Sequence, residues 1–252
     1  MHTYAKALVV LSVASLLAGC QKAAEATPDA APAAANEAPA APATPPPASA
    51  LGTYEMKADT GVVNLEDKGY VLMPAKWASP IVPVCWEGAS DGVERGWVKD
   101  SIGKTWEAKS KLRFVGWGVC AANAKGIRIA VREDGPHTKG LGKLLDGKLE
   151  GMVLNFTFKT WSPSCASSPA KRESCIRSIA VHEFGHAIAF AHEQNRPDTP
   201  GECTEPPQGT NGDTILTPWD PQSVMNYCNP VYNNSGQLSP GDVYSVQKVY
   251  GV

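Results

Sequence analysis

Three of the chain's five histidines fall within eleven residues, running from His182-Glu183-Phe184-Gly185-His186 to His192. Few features restrict a fold more. If residues 173–190 form a helix, the i, i+4 spacing of His182 and His186 puts both imidazoles on one face, about one turn apart. The residues between His186 and His192 are Ala187, Ile188, Ala189, Phe190 and Ala191, all apolar. Three imidazoles and a carboxylate in such a segment would sit near a core, where an unpaired polar group costs roughly 1–3 kcal/mol. A shared metal ion removes that cost. His182, His186 and His192 then supply three neutral nitrogen ligands and leave a fourth position open, the pattern of a catalytic zinc site. Glu183, one residue along, can approach a water at that position without being a ligand, and so act as general base.

The rest of residues 75–252 must fold round this helix. Apolar patterning predicts strands at 81–86, 111–117, 127–131 and 151–158. Val93, Trp97, Val98, Ile102 and Trp106 recur at mostly three- and four-residue steps and predict one amphipathic helix over 92–110. Residues 137–145, broken by glycines, read as a loop or as a sheet-edge strand. A short last helix follows Asp242, whose carboxylate suits a helix start. Lys171-Arg172 reads as a solvated loop, and His137 as a surface or turn residue. The formal net charge of −2 excludes a strongly basic nucleic-acid binder, so no nucleic-acid partner is expected.

Residues 21–50 contain 14 Ala and 7 Pro and none of Val, Leu, Ile, Met, Phe, Trp, Tyr or Cys. Such a stretch cannot bury enough apolar surface to offset the entropy of ordering. It reads as an extended tether. Before it, residues 1–19 carry Lys6 and an apolar run from Ala7 to Ala18, too short to span a bilayer and ending in small residues. The junction Leu17-Ala18-Gly19-Cys20 resembles a bacterial lipobox, which implies cleavage before Cys20 and acylation of its thiol. Gln21, where inner-membrane retention usually goes with Asp, points by the same resemblance to an outer-membrane lipoprotein of the cell envelope. If the Cys20 signal is not used, the chain is secreted. Residues 20–50 are then the lipid-bearing Cys and tether, and 51–74 a lead-in or pro-segment.

Removing Cys20 leaves six cysteines, and an exported chain meets an oxidising compartment, so three disulfides are expected. Fifteen connectivities are possible. Sequential pairing, Cys85–Cys120, Cys165–Cys175 and Cys203–Cys228, is the working expectation. Cys85 as an inhibitory thiolate is disfavoured because Val-Pro-Val-Cys-Trp-Glu does not match the pro-enzyme motif.

The histidine pattern resembles the metzincin signature, H-E-x-x-H-x-x-G-x-x-H followed by a Met-turn. Here the turn is Ser223-Val224-Met225-Asn226-Tyr227, and the continuation His192-Glu193-Gln194-Asn195-Arg196 is similar to the astacin branch. The end of the chain, from Leu238-Ser239-Pro240-Gly241-Asp242 to Val249-Tyr250-Gly251, resembles the closing helix of such domains. The resemblance implies an α+β, metzincin-like fold. Its mixed twisted sheet and two long helices form an N-terminal subdomain, followed by an irregular C-terminal subdomain ending in a helix. It implies one catalytic Zn2+ on His182, His186 and His192, with Glu183 as general base. Tyr227 would be an extra, displaceable zinc ligand that hydrogen-bonds the oxyanion, and Met225 an apolar floor under the metal. The implied activity is that of a monomeric zinc endopeptidase acting on polypeptide substrates.

Three positions depart from the family. Ala189 stands where the family has Gly, and a positive φ there would cost of order 1 kcal/mol. Asn226 replaces a His beside the turn tyrosine. Glu193 in mature astacins pairs with a freed N-terminal amine, whereas here acylated Cys20 would lie more than fifty residues before the first strand. Two other readings compete with peptide hydrolysis in general. One is a surface-binding lipoprotein stapled by zinc, which has no use for Glu183; the other is a peptidase acting on peptidoglycan cross-links.

Overall fold

The computed structural model describes residues 69–89 and 92–252. The signal, Cys20, the tether and most of the lead-in lie outside them. Two helices and a five-stranded sheet make up the first part of the fold. Strand β2 (Ile81–Trp86) leads to α1 (Val93–Lys104) and the single turn α2 (Trp106–Lys109). Strands β3 (Arg113–Val119), β4 (Ile127–Val131), β5 (His137–Thr138) and β6 (Met152–Leu154) follow, and then α3 (Pro169–Ala187). The sheet order is β3-β2-β4-β6-β5. Its first four strands are parallel and β5 runs antiparallel at the edge. Residues 137–145 thus hold an edge strand followed by a 3-10 turn, Gly142–Leu145.

Helices and sheet share one core. Val82, Val84, Trp86, Ile127, Ile129, Met152 and Leu154 join Val98 and Ile102 of α1 and Ile176, Ile179 and Phe184 of α3. The opposite face of β2 and β3, with Ile81, Val115 and Val119, is open to solvent. Helices gathered against one side of a mixed sheet define the α+β class expected from the sequence. Cys85–Cys120 ties β2 to the residue just after edge strand β3, and Cys165–Cys175 ties the segment before α3 to the helix. Cys203–Cys228 staples the irregular C-terminal part, so the connectivity is sequential.

Several boundaries differ from the sequence reading, each for a local reason. The helix expected over 92–110 breaks at Thr105, whose hydroxyl donates to the Ser101 carbonyl at 2.7 Å and competes with the helical ladder. After the break Trp106 turns into the core, and its indole N–H reaches the Val181 carbonyl of α3 at 2.8 Å. The strand expected over 151–158 stops at Leu154. Buried Asn155 accepts from the amides of Thr157 and Phe158 at 2.9 and 2.8 Å, forming an Asx-type turn. Helix α3 starts four residues earlier than expected, because Ser168 caps it by accepting from Lys171 N and Pro169 suits its first position. Lys171 and Arg172 are therefore helical rather than looped, and Arg172 pairs with Glu94 at 2.8 Å.

The C-terminal part has little regular structure before its final helix, α4 (Pro240–Tyr250). Ser239 and Asp242 form a reciprocal capping box at its start. Residues 69–74, read from sequence as the end of the lead-in, belong to the fold. Gly69–Val71 form β1, antiparallel to β7 (Thr214–Leu216). A three-residue strand is too short to display a period, which is why composition alone placed it in the lead-in.

Candidate metal centre

Helix α3 delivers His182, Glu183 and His186 from its buried last two turns, and the chain then reverses to return His192. The reversal passes through Ala189 at φ +77°, so the alanine does carry the left-handed conformation that glycine would adopt without strain. The crowding is local: a Cβ on Gly142 would come within 2.0 Å of the Ala75 carbonyl oxygen and 2.9 Å of the Ala189 Cβ. A side chain at 142 would therefore collide with the turn that bears the third histidine.

The three imidazoles meet at one point. His192 Nε2 lies 3.2 Å from His182 Nε2 and 3.1 Å from His186 Nε2. Each opposite ring nitrogen faces a backbone carbonyl: His182 Nδ1 that of Val224 at 2.8 Å, His186 Nδ1 that of Phe190 at 2.8 Å, His192 Nδ1 that of Gln208 at 2.9 Å. A carbonyl can only accept, so each Nδ1 carries the proton and each Nε2 presents a bare lone pair. Burial lowers the pKa of all three, that of His182 to about 3, so the rings are neutral at pH 7. Three lone pairs directed at one another repel, and a cation among them turns that repulsion into ligation. The donor set, neutral nitrogens oriented by outer carbonyls, fits a transition-metal ion of the zinc type.

Two groups sit beside this centre. Glu183 is buried, its Oε2 has no hydrogen-bond partner, and burial pushes its pKa up to about 8. Tyr227 lays its ring 4.4 Å from that of His192 and stacks at 5.5 Å on that of His182, between centroids. Met225 packs directly beneath α3, since a Cβ on Gly185 would fall 2.2 Å from its sulfur. Glycine between Phe184 and His186 is what lets the Met-turn approach the helix this closely.

Other candidates take structural places. Glu193 accepts from Arg196 Nη1 at 2.7 Å and from the Asp220 amide at 2.9 Å, so its partner is a guanidinium of its own loop. Asn226 is buried, donating to the Asp220 carbonyl and accepting from the Cys228 amide. His137 lies on the edge strand with its Nδ1 2.7 Å from the Gly135 carbonyl, apart from the triad. Cys85 is in a disulfide and is not a thiolate. Cys20 lies outside the described residues. The sequence reading missed the carbonyls of Val224, Phe190 and Gln208, because a backbone acceptor leaves no trace in residue identity.

A mixed sheet over a long helix ends in a three-histidine centre, with a methionine turn packed beneath it. Among solved structures the chain is similar to one of myroilysin, with 19% identity and a TM-score of 0.52 over 73% of this chain and 99% of that one. A second myroilysin structure matches at 22% identity and a TM-score of 0.49, over 71% and 86% of the two chains. High choriolytic enzyme 1, a hatching enzyme zinc-protease from Oryzias latipes (medaka fish), matches at 18% and 0.44, over 69% and 93%. The first likeness is one of fold. No protein-family model matches the chain, and no curated protein matches it significantly.

Proposed function

We propose that this chain is a zinc-dependent endopeptidase of the cell envelope, held to the outer membrane by lipid on Cys20. The observation that carries the catalytic reading is the convergence of three bare imidazole nitrogens beside a buried carboxylate with an unpartnered oxygen. A merely structural site has no need of that carboxylate. His182, His186 and His192 would hold the zinc, whose Lewis acidity polarises a carbonyl and brings the pKa of a water near 7. Glu183 takes the proton of the attacking water and returns it to the leaving amine. The Tyr227 hydroxyl is the donor for the developing oxyanion, its ring held against two of the ligands. A polypeptide would bind extended, adding to the free edge of β5 by strand pairing.

Glu183→Gln is the test. The variant keeps stoichiometric zinc and the fold, and casein cleavage falls by at least about a hundredfold. Cleavage at the parental rate would show that Glu183 is not the base.

A further inference from the structure

The turn between the second and third histidines is held from outside the helix. Four consecutive carbonyls each accept a side-chain or distant backbone donor. Ala187 O takes the Trp77 indole N–H at 2.7 Å, and Ile188 O takes the Tyr250 hydroxyl at 3.1 Å. Ala189 O takes the Leu72 amide at 2.9 Å, and Phe190 O faces His186 Nδ1 at 2.8 Å. The Ala191 amide then donates to Tyr70 O at 2.9 Å. Tyr250 also accepts from the Trp77 amide at 3.3 Å, which joins the two aromatic donors into one frame. Trp77 precedes the sheet and Tyr250 ends α4, so residues 110 and 62 positions away converge on two adjacent carbonyls.

A helix end leaves its last carbonyls without partners, and a glycine at the left-handed position is the usual remedy. This chain has Ala189 there at φ +77°, a conformation costing about 1 kcal/mol per residue. The frame offsets that strain by giving donors to the Ala187 and Ile188 carbonyls, with the Leu72 amide serving that of Ala189. Were the turn to relax, His192 would move away from His182 and His186, because only five residues separate it from the helix-borne ligand.

We propose that Trp77 and Tyr250 are positioning residues for the third metal ligand, acting through the Ala187 and Ile188 carbonyls to hold the strained turn. The proposal rests on reading the triad as a zinc site. Tyr250→Phe keeps the ring and removes only the hydroxyl; Trp77→Phe removes the indole donor. Neither residue is part of the triad or meets the reacting groups.

The test uses the zinc-loaded full-length chain and measures the rate of zinc loss to an excess of chelator, with melting temperature recorded in parallel. Tyr250→Phe loses zinc roughly fivefold faster than the parent, the equivalent of one net hydrogen bond. Trp77→Phe does the same, and stands in if Tyr250→Phe does not fold. The decisive arm is Ala189→Gly. Glycine takes the left-handed conformation unaided, so in the Ala189→Gly background Tyr250→Phe changes zinc loss by less than about twofold. Loss of folding stability alone would leave the fivefold difference intact in both backgrounds and would overturn the proposal. A zinc-binding parent with variants that retain zinc equally well overturns the positioning role and leaves the metal site standing. A parent that holds no zinc overturns the metal reading and the positioning role together.

Discussion

Asp242 grips the backbone of Val224: its Oδ2 accepts the Val224 N–H at 2.9 Å, while the carbonyl of the same residue accepts His182 Nδ1 at 2.8 Å. A carboxylate in the first turn of α4 therefore orients His182 on α3 through one residue of the 223–227 turn. Its Oδ1 takes the Ser223 hydroxyl at 2.7 Å, and Oδ2 also accepts the Ser239 amide at 2.9 Å. Asp242→Ala should lower stability by about 2–4 kcal/mol, combining a lost cap with buried donors left unpaired. Asp242→Asn keeps one acceptor oxygen and should cost less. Urea unfolding of both variants checks the order; equal losses would mean that the acceptor oxygens are not what matters.

Tyr227→Phe should retain zinc and lower kcat by roughly tenfold to a hundredfold, less than Glu183→Gln, with KM little changed. On the proposed role the variant loses the oxyanion donor, while the ring packing on His182 and His192 survives. An unchanged kcat on a peptide substrate would remove the tyrosine from the chemistry.

The turn at Ala189 makes a different forecast. Ala189→Gly relieves about 1 kcal/mol of backbone strain and adds a similar entropy to the unfolded chain, so net stability should stay within about 0.5 kcal/mol. Ala189→Val puts a branched side chain at positive φ against Gly142 and should cost more than about 2 kcal/mol. Denaturant midpoints compare the two; a valine variant as stable as the parent would contradict the crowding.

Glu133 supplies a pH dependence through bonds that do not involve the three histidines. Its carboxylate accepts the Thr160 amide at 3.0 Å, with Asn155 Nδ2, the Thr157 hydroxyl and the Trp161 amide as further donors. These bonds, that of Thr160 foremost, lower its pKa from 4.5 to about 2. A folded pKa below the unfolded one stabilises above pH 4.5, and the contribution fades as pH falls through about 2. Glu133→Gln should therefore melt lower than the parent at pH 7, with the gap closing towards pH 2. A gap constant with pH would show that the charge is not involved.

What could be read from the sequence was whatever leaves a period or a chemical signature. The i, i+4 histidines fixed one helix face, His192 completed the donor set with Glu183 beside it, and the apolar run Ile81–Trp86 and the alternating residues of Ile127–Val131 marked two strands to the residue. Thr105 and Asn155 were illegible as breaks, because each acts by a side-chain bond to nearby backbone that either residue could equally forgo. The Trp77 and Tyr250 contacts were illegible for another reason. They join residues from the two ends of the domain to backbone atoms, and neither distance along the chain nor residue type announces such a pairing.

Zinc content measured alongside cleavage tests the central claim most directly. The purified chain should carry one zinc per molecule. A chelator should remove zinc and casein cleavage together, and added zinc should restore both. A chain that cleaves casein after its zinc is gone, or that binds no zinc with His182, His186 and His192 intact, would contradict the account.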